Sequence, residues 1–143
     1  MKLELTRTLA APPERVWRAL TDPAALAAWF WPEAFGTTVE MDLRVGGRYR
    51  IAATGGPSGG FAAVGSYVAI EPPHRLAFTW TWEGQNGPDT LVTLTLAGAE
   101  DKTELRLVHE GFADEHDRDM HHQGWTDCLD RLPGHLAGHA STP

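Results

Sequence analysis

From Thr37 to Glu110 the sequence carries run after run of alternating apolar and polar residues, separated by turn residues, and a long helical period begins only after Asp114. Consecutive strands joined by short turns pair as antiparallel neighbours. A sheet built this way has one apolar face, and only one long helix is available to cover it. The runs are "TTVEMDLRV", with Val39, Met41 and Leu43 in phase, then "RYRIAA" after a turn at Gly46–Gly47, and "FAAVGSYVAI", where a bulge is expected near Gly65. "RLAFTWTW" follows, with Leu76, Phe78, Trp80 and Trp82 on one face. "TLVTLTL" aligns Val92, Leu94 and Leu96, and "TELRLVHEG" aligns Leu105, Leu107 and His109. The connections "TGGPSGG", "EPPH" and "GQNGPD" have turn chemistry. The first of them reads as a hairpin tip at a cavity mouth.

Ahead of the meander, "KLELTRTLA" places Leu3, Leu5 and Leu9 on one side of a further strand. "PPERVWRAL" is a short helix whose prolines suit its first turn, where backbone N–H groups lack partners. Asp22–Pro23 repeats the device and opens a second short helix, "AALAAWF". The predicted fold is therefore α+β and a single domain over 1–143, with a curved antiparallel sheet, two short helices after the first strand and a long C-terminal helix. The tail from about residue 137 is expected to fray. Pro133 is expected to kink the closing helix near 129–133 or end it early, because proline lacks the backbone donor and clashes one turn back.

The chain's 143 residues suffice for a real core, and no apolar run approaches the ~18 residues of a membrane span. The opening residues lack the apolar block of a secretory signal, so a cytoplasmic location is expected. Nineteen acids against twelve bases give a net charge of −7, and the bases are scattered. Nucleic acid is excluded on that ground, since phosphate binding needs clustered Lys and Arg. The single cysteine, Cys128, excludes an internal disulfide. No cofactor motif is present. Six tryptophans need either a large core or an aromatic-lined cavity.

On a helical wheel of about 100° per residue, Met120, Gly124, Trp125, Cys128, Leu129 and Leu132 form an apolar stripe aimed at the sheet. Gly124 there either permits a close helix approach or leaves cavity space. His121 lies within the stripe with Asp117 one turn earlier, His122 sits at its edge and His116 outside it. Asp117 and His121 have the i, i+4 spacing of metal ligands, and His109 has a route in from the sheet, but no metal signature such as HExxH accompanies them. Two readings of His121 remain open. It is either a core histidine satisfied by Asp117 or, with Asp117, the polar handle of an otherwise apolar ligand cavity. Cys128 reads as a small buried hydrophobe, two turns from His121. Trp80, Trp82 and Tyr49 are either cavity wall or plain core. Phe78, Trp125, Trp29 and Trp31 complete the candidate lining, with part of the "WFW" cluster capping the cavity.

The stretches "APPERVWRALTDPAALAAWF", "DLRVGGRYR", "YVAIEPPHRLAFTW", "TELRLVHEGF" and "GWTDCLDRL" together resemble the activator of heat-shock-protein-90 ATPase homologues. These belong to the START-like (SRPBCC) superfamily, with polyketide cyclases, Bet v allergens and lipid-transfer domains. The resemblance spans nearly the whole chain. It implies a helix-grip fold, in which the curved sheet grips the C-terminal helix around a cavity. It also raises a chaperone partner, although the eukaryotic activator engages its chaperone through a separate N-terminal domain for which this chain has no room. Three functional readings follow. The first is a container for a small hydrophobic or aromatic molecule, without catalysis. The second is a cyclase- or dehydratase-like enzyme in which His121 moves protons, and the third is a chaperone-associated interaction domain.

Overall fold

Alternation becomes strand and the wheel becomes helix nearly everywhere the sequence predicts them. The computed structural model describes residues 1–55, 60–85 and 89–140. In chain order these form β1 (Lys2–Leu9), α1 (Pro13–Thr21), α2 (Pro23–Trp29), a 3-10 turn at Glu33–Phe35, β2 (Thr37–Met41), β3 (Arg48–Ala53), β4 (Phe61–Glu71), β5 (Arg75–Trp82), β6 (Thr90–Ala99), β7 (Lys102–Glu110) and α3 (Glu115–Ala140). The seven strands make one antiparallel sheet in the order β1-β7-β6-β5-β4-β3-β2. β1 closes the meander by pairing with β7, which sets Leu5 opposite Leu107 and Leu3 opposite His109.

The apolar side of every central strand is buried, including Leu76, Phe78, Trp80, Leu94, Leu105 and Leu107. α3 packs over this face together with α1 and α2. The second short helix starts as its sequence predicts. The Asp22 carboxylate accepts the Ala25 N–H at 3.3 Å, and Pro23 is the first helical residue. α3 is capped in the same way, with Asp114 Oδ1 accepting the Asp117 N–H at 2.8 Å. No helix among the described residues is long and apolar enough to cross a membrane.

Three local expectations need correction. β2 ends at Met41, and Leu43 is exposed although it lies in phase with Val39 and Met41. Backbone bonds from Asp42 N–H to Arg48 O and from Arg44 N–H to Asp42 O turn the chain before Leu43 can reach the sheet. The β4 bulge falls between Tyr67 and Ala69, at Val68, and not at Gly65. Gly65 serves a different need, because a Cβ there would collide with the carbonyl of Thr79 on β5. Nor does α3 end at Pro133. It continues to Ala140, because Leu132 and Leu136 on either side are buried and Arg15 donates to the Leu136 carbonyl at 2.6 Å. Residues 56–59 of the glycine-rich connection, 86–88 of "GQNGPD" and 141–143 lie outside the described residues, so the cavity-mouth reading of the glycine-rich tip does too.

Candidate functional site

Two spaces lie between the sheet and its helices. The inner one measures about 30 Å³, and its walls include Trp29, Tyr49, Tyr67, Phe78, Leu94 and Leu129. That is the volume of roughly one water in the liquid. Tyr49, Phe78 and Trp29, which the sequence offers for a cavity wall, fill the interior around it instead. The outer space is a groove of about 300 Å³ beneath the first half of α3, with Trp31, Trp82, Asp117, Met120, His121 and Gly124 among its walls. Small-molecule sites begin at about this size.

Residues 115–124 create the groove by being poor in apolar bulk. Met120 lies in phase with the apolar stripe yet is 62 % exposed, which corrects its placement against the sheet. Gly124 is exposed, and a Cβ on it would meet no heavy atom within 4 Å, so of its two predicted roles it leaves space. Opposite the helix, the Trp31 and Trp82 rings stack with centroids 6.3 Å apart, and Phe61 lies 4.8 Å from Trp31.

Gln85, His116, Asp117 and His121 are the polar residues of this wall, and His121 is the most enclosed of them, its side chain 11 % exposed. Its Nδ1 lies 2.8 Å from the Asp117 carbonyl oxygen, and the Asp117 carboxylate is farther away at 3.4 Å. A carbonyl can only accept, so Nδ1 carries the proton. In the neutral ring Nε2 is then an acceptor, and it has no partner among the described residues. Phe112 at 5.0 Å, His109 at 5.2 Å and Trp82 at 6.0 Å between ring centroids fix the plane of the imidazole. Asp117 thus orients His121 mainly through its backbone, and its own carboxylate is half exposed.

His109 belongs to the core. It is fully buried, its Nδ1 accepts the Trp125 indole N–H at 2.9 Å, and its Nε2 lies 2.6 Å from Thr90 Oγ1. Because indole can only donate, Nδ1 is bare and Nε2–H donates to Thr90, whose hydroxyl passes on to the Trp80 carbonyl at 2.9 Å. Burial, with a smaller contribution from the nearby His121, pushes the His109 pKa down to about 3. With both nitrogens engaged, His109 cannot reach into the groove as a ligand. Among the described residues no group of three or more His, Cys, Asp or Glu could hold a metal ion. Burial pushes the Cys128 thiol up to about 12, against the opposing pull of Arg131, and leaves it inert.

The predicted site residues therefore divide. His121, Asp117, Trp125, Trp80, Trp82 and Trp31 come together on the groove, whereas Tyr49, Phe78 and Trp29 line the inner space. Tyr49 donates to the Thr79 carbonyl at 2.5 Å and Trp29 to the Ala19 carbonyl at 3.0 Å, so both are satisfied core groups. Sequence reasoning gave part of the "WFW" cluster to the cavity without singling out Phe30, which with Trp80 and Trp125 lines both spaces. These three rings stand 5.2–6.3 Å apart and form a partition. It also missed Phe61 and Phe112, which support the groove from behind through ring contacts with Trp31 and His121. Phe30 was detectable as the middle of "WFW", but nothing local marks the other two.

A family model described as "Activator of Hsp90 ATPase homolog 1-like protein" matches residues 10–137. No curated protein matches the sequence at a significant level. Among solved structures, protein CV1439 from Chromobacterium violaceum is similar at 34% identity, over 94% of this chain and 96% of that one, with a TM-score of 0.81. The AHSA1 protein from Silicibacter pomeroyi is 27% identical over 97% and 99% of the two chains, with a TM-score of 0.82. DynU16, a protein of the dynemicin biosynthetic locus, is 26% identical, and the match covers 95% of this chain and 47% of that one at a TM-score of 0.78.

Proposed function

The chain belongs to the Activator of Hsp90 ATPase homolog 1-like protein family, and we propose that it binds a small, largely apolar ring compound in the groove under α3. The observation that carries this reading is the His121 Nε2 acceptor set in a wall of tryptophan and phenylalanine. Pockets for small molecules commonly combine apolar walls with a few placed polar groups. Stacked Trp31 and Trp82 offer a flat surface to a ring, and Nε2 offers an acceptor to a hydroxyl. The kinship with DynU16 fits a role in handling such compounds.

The same geometry supports a second reading, in which Nε2 takes a proton from the bound compound during turnover. An imidazole oriented through Nδ1, with Nε2 left open to the groove, has the geometry for general base work.

One substitution separates the two. Replacing His121 with Ala leaves the fold intact and weakens binding of 2-naphthol by about 1–3 kcal/mol, the usual loss of a buried hydrogen-bond partner. Calorimetric titration reads this directly. His122→Ala, on the exposed edge of α3, changes nothing. Equal losses from both variants, or none from either, contradict the site. Turnover that collapses in His121→Ala while binding survives favours the enzyme.

A further inference from the structure

Three tryptophans are buried, at positions 29, 80 and 125. Trp29 and Trp125 donate their indole N–H groups to the Ala19 carbonyl and to His109. The Trp80 N–H is buried and has no partner among the described residues. Buried donors are nearly always paired, so an exception in the wall of a cavity calls for an explanation. Trp80 lines both the groove and the inner space, and its ring lies 6.5 Å from that of His121, with the two planes at 80°.

We infer that the Trp80 N–H is a second polar pole of the ligand site, and that the compound bound there is a flat ring system carrying a hydroxyl for His121 and a carbonyl-type acceptor for Trp80. This rests on the groove being the binding site. Of the three partition rings, Trp125 is tied to His109 and Trp80 sits on a central strand of the sheet, whereas the Phe30 ring has no polar tie. Phe30 is therefore the ring that yields when the carbonyl reaches inward. The pairing selects for chemistry as well as size, because a hydrocarbon of the same shape leaves the Trp80 donor unsatisfied.

The test compares 2-acetylnaphthalene with 2-isopropenylnaphthalene, a hydrocarbon of nearly the same shape in which a CH2 group replaces the carbonyl oxygen. The ketone binds the wild-type protein about tenfold more tightly, as one net buried hydrogen bond implies. In Trp80→Phe that advantage disappears while the hydrocarbon still binds. In proton–nitrogen spectra of the wild-type protein, the Trp80 indole signal moves downfield with the ketone and not with the hydrocarbon, which decides the matter even if Trp80→Phe does not fold. Equal affinity of the two compounds for the wild-type protein, an advantage that survives Trp80→Phe, or an indole signal indifferent to the carbonyl overturns the inference and leaves the groove reading standing. Failure of both compounds to bind overturns both.

Discussion

The two halves of α3 obey one helical period and do opposite things. From Trp125 to Leu136 the helix is sealed to the body of the protein, with Trp125, Cys128, Leu129, Leu132 and Leu136 buried. Arg131 clamps it further by donating to the Trp29 and Phe30 carbonyls at 3.1 and 2.7 Å, which are among the unpaired acceptors at the end of α2. From Glu115 to Gly124 no residue is buried, and the most enclosed side chain is that of His121. Burying a leucine is worth about 1.5–3 kcal/mol, and "EHDRDMHHQG" has almost nothing of the kind to bury. The contrast teaches that a groove need not be carved into a core. It opens where one helix stops supplying apolar bulk while the sheet opposite continues to present aromatic rings.

Substitutions along the helix test this division most strongly. Leu132→Ala leaves a cavity at a fully buried position and costs about 2–5 kcal/mol in chemical denaturation. Met120→Ala, three turns earlier and on the same predicted stripe, costs less than about 0.5 kcal/mol, as exposed positions do. Similar losses at the two sites would erase the distinction between the halves.

Acid probes the junction, where His109 and Trp125 join sheet to helix. The folded His109 pKa lies near 3 and its ordinary value is 6.5. The unfolded chain therefore takes up a proton that the native state refuses, and stability falls as pH drops below about 6.5 and keeps falling until the native ring titrates. The slope approaches about 1.4 kcal/mol per pH unit for this one proton. His109→Gln retains an acceptor for Trp125 and removes the titration, so its stability between pH 6.5 and 4.5 is flatter. An unchanged slope in that variant would show that His109 does not titrate as its burial requires.

Much of this was legible in the sequence. Consecutive pairing of the meander strands, both proline-opened short helices and the inward position of His121 follow from period and capping chemistry, which are local. The pairing of β1 with β7 does not. What depends on distant neighbours was not legible. Leu43 keeps the phase of β2 but has no strand opposite, because the chain has already turned at Asp42. Gly65 signals an irregularity without saying whether it is a bulge or a close approach to Thr79. Met120 keeps the phase of α3, but the wheel cannot tell that the helix stands off at that end. Likewise, aromatic residues pointing inward reveal neither that Tyr49 and Phe78 fill the interior nor that Trp31 and Trp82 border open space, since the difference lies in packing across strands.

The groove can be closed with little effect on the fold, and Gly124 is the position at which to do it. Gly124→Ala removes a flexible residue from a helix interior where a Cβ meets nothing, so it stabilises the protein by about 1 kcal/mol. The decisive measurement is a calorimetric titration of 2-naphthol into Gly124→Leu. The larger side chain enters the open space without disturbing the buried half of α3. The account predicts an unchanged or higher melting temperature together with an affinity reduced at least about tenfold, the equivalent of about 1.4 kcal/mol. Affinity equal to that of the wild-type protein, in a variant that is folded, would contradict it.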